Sequence, residues 1–267
     1  MLENKLNRLD SILQELGSVT VAFSGGVDSS FLLYRAHKLM QDKVMAVTIS
    51  TPYIPLREVE EAISFAKNRD IRHKIINVEF PVVIKHNPVD RCYLCKKLLF
   101  NEIISFSHNS GYSNIIDGSN ADDTGDFRPG MKALREMGVR SPLLEAGLTK
   151  EEIRQACRNE GLELWDKPAM ACLLTRIPYD TEINEETLRM IEAGEDLLFE
   201  NGFPGTRVRV HGDVARIECM PGYIEKIIHA PNRESIITSL KKIGFRYVSL
   251  DLEGYRTGSL NPEKQSI

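Results

Sequence analysis

The most constraining feature of the sequence is a glycine-rich loop between a short apolar segment and a longer one. Val19–Phe23 predicts a buried strand, and the apolar residues that continue to about Met40 predict a helix. The loop between them, residues 24–29, has the sequence Ser-Gly-Gly-Val-Asp-Ser. Glycines let the backbone bring N–H groups close to a phosphate, serines add hydroxyl donors, and the start of a helix favours an anion. The pattern therefore predicts a phosphate-binding loop in an α/β fold.

Two other nucleotide-binding patterns are missing from the sequence. A P-loop would need GxxxxGK[ST] with its lysine, and a dinucleotide fold would need GxGxxG, and neither occurs. A glycine turn that joins strand and helix without holding a ligand is the alternative interpretation. The complete hexapeptide between a strand and a helix argues against that alternative.

The apolar segments alternate between strand and helix patterns as far as about residue 178. Strands are predicted at 19–23, 43–49, 73–78, 113–117 and 141–144. Helices are predicted at 3–16, 29–40, 55–68 and 95–108, and another begins at Thr149, where Glu152 can complete a capping box. The stretch 118–138 is polar and is predicted to be irregular. Such alternation is typical of a parallel sheet with helices on both faces.

The pattern changes after Pro178, and we place a domain boundary there. Residues 1–178 are predicted to form the first domain, and residues 179–267 a second, smaller α/β domain. Its predicted elements are a helix at 184–201, a hairpin of 207–210 with 214–218, a helix near 231–243 and a strand at 246–250. Within the hairpin, His211-Gly212-Asp213 suits the turn.

Composition excludes several classes of protein. The 267 residues carry a formal net charge of −4, which argues against a general grip on nucleic acid. No apolar run approaches the ~20 residues that span a bilayer, and the first residues are charged and helix-patterned, so we expect a cytoplasmic protein. The five cysteines are an odd number without a secretory signal, which favours metal binding or thiol chemistry over disulfides.

Three of the cysteines form a candidate metal site. Cys92 and Cys95 are three residues apart, and Cys172 lies far along the chain. Three thiolates suit either zinc with one open position or a cubane cluster with one iron free of protein ligands. The alternative is that the first two are buried small hydrophobic residues. Cys157 and Cys219 are predicted to be bystanders.

The glycine-rich loop resembles the PP-loop of the ATP pyrophosphatases, the adenine nucleotide alpha-hydrolase-like fold. The resemblance implies that ATP is cleaved between its α- and β-phosphates and that strands order as 3-2-1-4-5. Asp28 is implied to lie beside the phosphates, where it helps to place Mg²⁺. Asp117-Gly118-Ser119-Asn120 should join the site at the switch point of the sheet. The implied nucleotide contacts are Ser24, Gly25, Gly26, Asp28, Ser29, Ser119 and Asn120.

Further motifs resemble the LarE family of ATP-dependent sulfur transferases over nearly the whole chain. These motifs are Asn87–Tyr93, Asp117–Asp123, Asp126–Gly130, Trp165–Ala169, Thr175–Tyr179, Arg207–Val210, Ala215–Glu218, Phe245–Val248 and Asp251-Leu252. The resemblance implies adenylation of the carboxylates of pyridinium-3,5-biscarboxylic acid mononucleotide, followed by their conversion to thiocarboxylates for a nickel-pincer cofactor. ATP is needed because AMP leaves readily from an acyl carbon, whereas a carboxylate oxygen does not.

The family resemblance leaves two sulfur sources open. Some members give up the sulfur of a cysteine that matches Cys172 and lack the other two thiols. Members with three cysteines resemble this chain more closely, which implies a [4Fe-4S] cluster on Cys92, Cys95 and Cys172 with an added sulfide as donor. The upstream sulfide source is not identified. Homo-oligomers are implied, with the second domain binding substrate and mediating assembly. The implied catalytic residues are Asp28, Cys172 and Arg176.

Two arginines alternate on one strand of the predicted hairpin. Arg207 and Arg209 would present two guanidinium groups on one face, which suits the phosphate of the mononucleotide. A solvated edge strand with paired charges is the alternative, and the family resemblance favours the phosphate. Glu218 and Arg176 are weaker candidates of the same kind. The acidic residues Asp122, Asp123 and Asp126 suit either a magnesium or substrate site or a plain surface loop.

Two other enzyme classes compete with the LarE interpretation. A tRNA-thiolating enzyme also combines a PP-loop with a CxxC pair and a distant cysteine, but the negative charge and the lack of an RNA-binding extension argue against it. A ligase without sulfur chemistry would not need three thiols. No nucleic-acid or membrane partner is therefore expected.

Overall fold

The computed structural model describes residues 2–125, 129–168 and 171–256. The chain divides into two compact units, Met1–Pro81 with Asp90–Ala169 and Val82–Val89 with Met170–Ile267. The short segment at 82–89 belongs with the C-terminal part because Asn87 donates its side-chain amide to the carbonyls of Ile177 and Pro178, both at 2.9 Å. The sequence pattern had placed a single boundary near residue 178.

The first unit is built on a parallel sheet, as the sequence predicts. Its described strands are β1 Val19–Ala22, β2 Val44–Ser50, β3 His73–Asn77 and β4 Asn114–Ile116, in the order β3-β2-β1-β4. Residues of β2 alternate between two apolar clusters: Val44 and Ala46 belong to one, Met45 and Val47 to the other. Both faces of the sheet are therefore covered, which explains why its strands are apolar throughout rather than alternating.

Seven helices lie in the described part of this unit. They are α1 Leu2–Leu16, α2 Val27–Met40, α3 Leu56–Lys67, α4 Arg91–Asn109, α5 Pro129–Glu136, α6 Pro142–Glu145 and α7 Lys150–Asn159. Helices α1, α2, α3 and α7 supply one apolar cluster, and α4 and α5 supply the other. The predicted helices at 3–16, 29–40, 55–68 and 95–108 are confirmed, although α4 begins four residues earlier than predicted.

The fifth strand predicted at 141–144 is wrong. Only Arg140 bridges to the sheet, opposite Ile116, and Pro142 then opens helix α6. Proline lacks an N–H for a strand ladder but suits the first turn of a helix. The stretch 118–138 is also less irregular than predicted, because it contains a 3-10 turn at Ala121–Gly125 and α5. Asp126 lies outside the described residues.

The second unit has a small mixed sheet. Its elements are α8 Glu185–Glu200, β5 Arg207–His211, β6 Val214–Glu218, α9 Pro221–Ile228, α10 Arg233–Ile243 and β7 Tyr247–Leu250. Strands β5 and β6 form the predicted antiparallel hairpin, in which Gly212 takes the left-handed φ of 57° that the tight turn requires. Strand β7 pairs in parallel with β6. Helix α9 was not predicted.

No helix in the described part of the chain is long and apolar enough to cross a membrane.

Candidate active site

The glycine-rich loop follows β1 and leads directly into α2. The hydroxyl oxygens of Ser24 and Ser29 lie 3.1 Å apart, and Ser29 Oγ donates to the carbonyl of Gly26 at 3.2 Å. Gly25 has a φ of +73°, and a Cβ there would lie 3.2 Å from both Glu58 O and Ala62 Cβ on α3. Only glycine combines that backbone conformation with so close an approach. The serines and Gly25 therefore fix the shape of the loop at the start of a helix, where an anion is favoured.

The end of β4 lies directly against this loop. A Cβ on Gly118 would lie 2.8 Å from Ser29 N, a distance at which the backbone would have to move. The preceding residue, Asp117, is buried and accepts hydrogen bonds at 2.5 Å from the hydroxyls of Ser119 and Ser141. Ser119 and Asn120 are also buried. The structure thus brings the segment Asp117–Asn120 to the loop, at the switch point between β1 and β4.

Asp28 is held by a lysine that the sequence analysis missed. Lys150 Nζ forms an ion pair with Asp28 Oδ2, and the Lys150 backbone N–H donates to Asp122 at 2.8 Å. Burial raises the pKa of the Asp28 carboxyl, and Lys150 opposes that rise while Asp123 adds to it. Lys150 is the first residue of α7, so the start of this helix supplies the side chain that meets Asp28. No sequence signal distinguishes this lysine from a surface lysine.

A second lysine contacts the loop at Gly25. Lys167 Nζ donates to the carbonyl of Gly25 at 2.8 Å and forms an ion pair with Glu61 on α3. It lies in one of the motifs that resemble the LarE family, which is the signal that could have found it. The ammonium groups of Lys150 and Lys167 therefore both contact the loop, in which Asp28 is the one acidic residue.

The residues around Asp28 suit a magnesium ion. Asp28 Oδ1 is buried, and among the described residues no donor meets it with hydrogen-bond geometry, although the nearby Asn120 side chain helps to lower the pKa of the carboxyl. Burying a carboxylate oxygen without a hydrogen-bond partner reduces the stability of the fold, unless a cation or a donor binds to it. Mg²⁺ is commonly held by one or two carboxylates together with substrate phosphates, so the donor set fits that ion.

Two of the three candidate metal-ligating cysteines lie at the start of α4. Cys92 and Cys95 are both free thiols, three residues apart and so on neighbouring positions of one helical face. Cys92 is exposed, while Cys95 lies 3.2 Å from the hydroxyl of Tyr53. Burial raises the pKa of the Cys95 thiol, and the Tyr53 hydrogen bond opposes that rise. The thiols of Cys92 and Cys95 therefore suit two of the ligand positions of a thiolate metal site.

The third candidate, Cys172, belongs to the second unit. It precedes a 3-10 turn at Leu173–Arg176. No group of three or more cysteine, histidine, aspartate or glutamate side chains able to hold a metal ion is found among the residues described. A centre on Cys92, Cys95 and Cys172 therefore stays a prediction.

Two further cysteines are buried. Cys157 lies inside α7 and Cys219 follows β6. Burial raises the pKa of Cys157 to about 12, and it also raises the pKa of Cys219. Their thiols therefore stay protonated near neutral pH and are poor nucleophiles and ligands.

Arg176 holds the backbone around Cys172. Its guanidinium forms two hydrogen bonds of 2.8 Å with Glu195 and donates to the carbonyls of Ala171 and Cys172 at 2.8 and 3.2 Å. Only 1% of the Arg176 side chain is exposed. Arg176 is therefore placed to position Cys172 rather than to meet a ligand directly. Glu195, its partner on α8, was missed by the sequence analysis.

Arg207 and Arg209 lie on β5, an edge strand of the small sheet, and both pair with carboxylates, but they are buried rather than solvated. Arg209 pairs with Glu218 at 2.8 Å, and Glu218 also pairs with Arg216 at 2.9 Å. Arg207 lies 3.8 Å from Glu195 Oε2, and its guanidinium carbon lies 5.5 Å from the centre of the Tyr255 ring. Glu218 therefore links Arg209 and Arg216, and its contact with substrate stays a prediction.

The fold and the loop define the class of this protein. Residues 1–96 match the NAD synthase family model, and this stretch contains β1, β2 and β3 of the parallel sheet together with the glycine-rich loop. The first unit is therefore a PP-loop domain of the ATP-utilising kind.

Similarity over nearly the whole chain identifies the family more narrowly. The pyridinium-3,5-bisthiocarboxylic acid mononucleotide synthase of Lactiplantibacillus plantarum is 35% identical over 263 residues, which cover 97% of this chain and 95% of that protein. Uncharacterised proteins of Synechocystis sp. and Methanocaldococcus jannaschii are 37% identical over 263 residues and 32% identical over 256 residues. These matches cover 98% and 95% of this chain, and 98% of each relative. The chain belongs to the LarE family, as its motifs predicted.

Proposed function

We propose that the protein is an ATP-dependent sulfurtransferase of nickel-pincer cofactor biosynthesis. It adenylates the carboxylates of pyridinium-3,5-biscarboxylic acid mononucleotide and converts them to thiocarboxylates. The observation that carries this proposal is the similarity to a synthase of the bisthiocarboxylic product, which spans 97% of this chain and includes the PP-loop. tRNA thiolation is the competing function.

The adenylation step uses the loop to hold the departing pyrophosphate. A substrate carboxylate oxygen attacks the α-phosphorus of ATP, the bond between that phosphorus and the α,β-bridging oxygen breaks, and pyrophosphate carries away the negative charge. Ser24, Ser29, the loop backbone and the start of α2 stabilise this charge, and the loop geometry holds the phosphates in line for attack. Lys150 and Lys167 add positive charge beside the loop.

Asp28 is proposed to hold Mg²⁺ next to the phosphates. When bound, Mg²⁺ would neutralise phosphate charge as pyrophosphate forms. Lys150 occupies one oxygen of Asp28, and the second oxygen is buried beside it. Asp28 therefore acts as an anchor for cations, and its pKa, raised by burial, matters less once a cation is present.

Sulfur insertion follows adenylation. A sulfur nucleophile attacks the acyl carbon of the adenylate, the acyl carbon–oxygen bond to AMP breaks, and AMP leaves with the electron pair. Cys92, Cys95 and Cys172 are proposed to hold a [4Fe-4S] cluster, which when bound would carry the added sulfide at its open iron. Sacrifice of the Cys172 sulfur is the competing source. Arg176 holds the backbone at Cys172 in either case.

Arg207 and Arg209 are proposed to bind the phosphate of the mononucleotide. The support is their position two residues apart on β5, where their guanidinium groups lie on one face of the strand and can bind one phosphate together. Glu218 keeps Arg209 in position.

We also propose that the protein is a homo-oligomer.

Release of pyrophosphate from ATP tests the proposed adenylation. With ATP, Mg²⁺ and the biscarboxylic mononucleotide, wild-type protein should release pyrophosphate, and Asp28→Ala should reduce the rate by about a hundredfold or more. Asp10→Ala is the matched control, because Asp10 also pairs with a cation, Arg35 at 2.7 Å, and its side chain is 21% exposed against 19% for Asp28. Asp10 lies on α1, outside the loop.

Two results would contradict the proposal. Wild-type protein that releases no pyrophosphate with this substrate would exclude the adenylation. An Asp28→Ala variant as fast as Asp10→Ala would exclude the role given to the loop.

A further inference from the structure

Tyr53 is a buried residue at the edge of the sheet where the active site lies. It follows β2 by three residues, and 1% of it is exposed. Its ring packs edge-on against Phe80, with the ring centres 5.6 Å apart, and its hydroxyl lies 3.2 Å from Cys95 Sγ. All three residues belong to the first unit. The packing leaves the ring little freedom to move, so the position of the hydroxyl is fixed by the fold.

Metal binding by Cys95 would change how strong this contact is. A thiol is a weak donor and a weak acceptor, so it is a poor partner for a buried phenol. A thiolate is charged and accepts a much stronger hydrogen bond from the same hydroxyl. A metal-bound cysteine is a thiolate. A hydroxyl 3.2 Å from the sulfur is therefore placed to make a stronger hydrogen bond to a metal-bound Cys95 thiolate than to a thiol.

We propose that Tyr53 is a positioning residue of the cluster proposed on Cys92, Cys95 and Cys172. Its hydroxyl would donate a hydrogen bond to the metal-bound Cys95 thiolate. This inference rests on the proposed function, because it requires Cys95 to be a metal ligand. The hydrogen bond fixes the direction in which Cys95 points and withdraws electron density from its sulfur. Such bonds to ligand sulfurs raise the reduction potential of a cluster and orient the ligand.

Tyr53→Phe removes the hydroxyl and keeps the ring. Full-length protein purified without oxygen is reconstituted with iron and sulfide, and its reduction potential is measured by a redox titration followed by electron paramagnetic resonance. The potential of the variant should be more negative than that of wild type. In protein loaded with cobalt(II) instead, the thiolate-to-cobalt absorption band should move to lower energy, because the sulfur has become more electron-rich.

Tyr112→Phe is the matched control. Tyr112 is also buried in the first unit, and its hydroxyl is hydrogen-bonded to Arg72 Nη1 at 2.9 Å and to Asp42 O at 3.3 Å. Its removal costs a buried hydrogen bond of the same kind, so a general loss of stability would affect both variants. Thermal unfolding shows whether each variant is folded. The potential and the cobalt band should be unchanged in Tyr112→Phe.

The outcomes separate this inference from the proposed function. If wild-type protein holds a cluster and Tyr53→Phe has the same potential and cobalt band, Tyr53 has no such role and the proposed function stands. If wild-type protein binds neither iron–sulfur nor cobalt, the inference and the cluster are both overturned. Pyrophosphate release then decides the adenylation by itself.

Discussion

Gly118 shows how a single residue sets the spacing of the nucleotide site. A Cβ there would lie 2.8 Å from Ser29 N and 3.0 Å from Ser29 Cα, both backbone atoms that no side-chain rotation can move away. The absence of a side chain therefore lets β4 approach the loop. Lys150 and Lys167 are also single-residue contributions to the loop, since the ammonium group of Lys150 pairs with Asp28 and that of Lys167 donates to the carbonyl of Gly25.

Gly118→Ala should weaken the binding of a non-hydrolysable ATP analogue by about tenfold or more, because either the loop or the end of β4 must shift. Isothermal titration calorimetry measures the affinity. Gly222→Ala is the control, since nothing lies within 4 Å of the position that its Cβ would take. Equal affinities in the two variants would show that the loop tolerates the displacement.

At the scale of the element, the start of α7 links folding to the nucleotide site. Thr149 caps the helix in a capping box with Glu152, which also pairs with Lys5 at 2.7 Å. Lys150, the next residue, then meets Asp28. The helix N-terminus, its cap and its first side chain therefore all depend on where α7 begins.

Thr149→Ala should reduce the free energy of unfolding by about 1 kcal/mol and also weaken ATP binding. Asn184→Ala removes the cap of α8, where the side chain accepts from Thr187 N at 2.7 Å, and should cost about as much stability without changing ATP affinity. Denaturant unfolding and calorimetry measure the two quantities. If ATP affinity did not change in Thr149→Ala, the position of Lys150 would not depend on the cap.

At the scale of the whole molecule, the proposed chemistry uses residues of both units. The PP-loop, Cys92 and Cys95 belong to the first, and Cys172, Arg176 and the two arginines proposed to bind substrate belong to the second. A test of either proposed sulfur source therefore requires the full-length protein.

Intact-mass analysis distinguishes the two sulfur sources. Protein purified without oxygen should keep its mass through turnover with added sulfide and should form several products per chain if a cluster carries the sulfur. Sacrifice of Cys172 would lower the mass by about one hydrogen sulfide, leave dehydroalanine, and deliver at most one sulfur per chain. The second result would contradict the cluster.

Local pattern was enough to predict much of the fold. The apolar runs that became β1 to β4, the loop of residues 24–29 and the hairpin around Gly212 all depend on neighbouring residues, whose periodicity the sequence displays directly. The failed fifth strand shows the limit of this reasoning. The residues at 141–144 are as apolar as a strand, but Pro142 and the packing of Leu143 produce a helix.

The sequence by itself determined the loop, the order of strands and helices, and the motifs that identify the family. The tertiary structure alone decided which side chains serve the site. Lys150 lies 122 residues from Asp28, Lys167 lies 142 residues from Gly25, and Cys95 lies 42 residues from Tyr53. Residue preference does not mark these partners, because a lysine or tyrosine has the same helix or loop preference whether it meets solvent, a carboxylate or a thiol; of the three, only Lys167 lies in a motif that resembles the family. Folding sets these distances, and the distances determine the chemistry that each residue can perform.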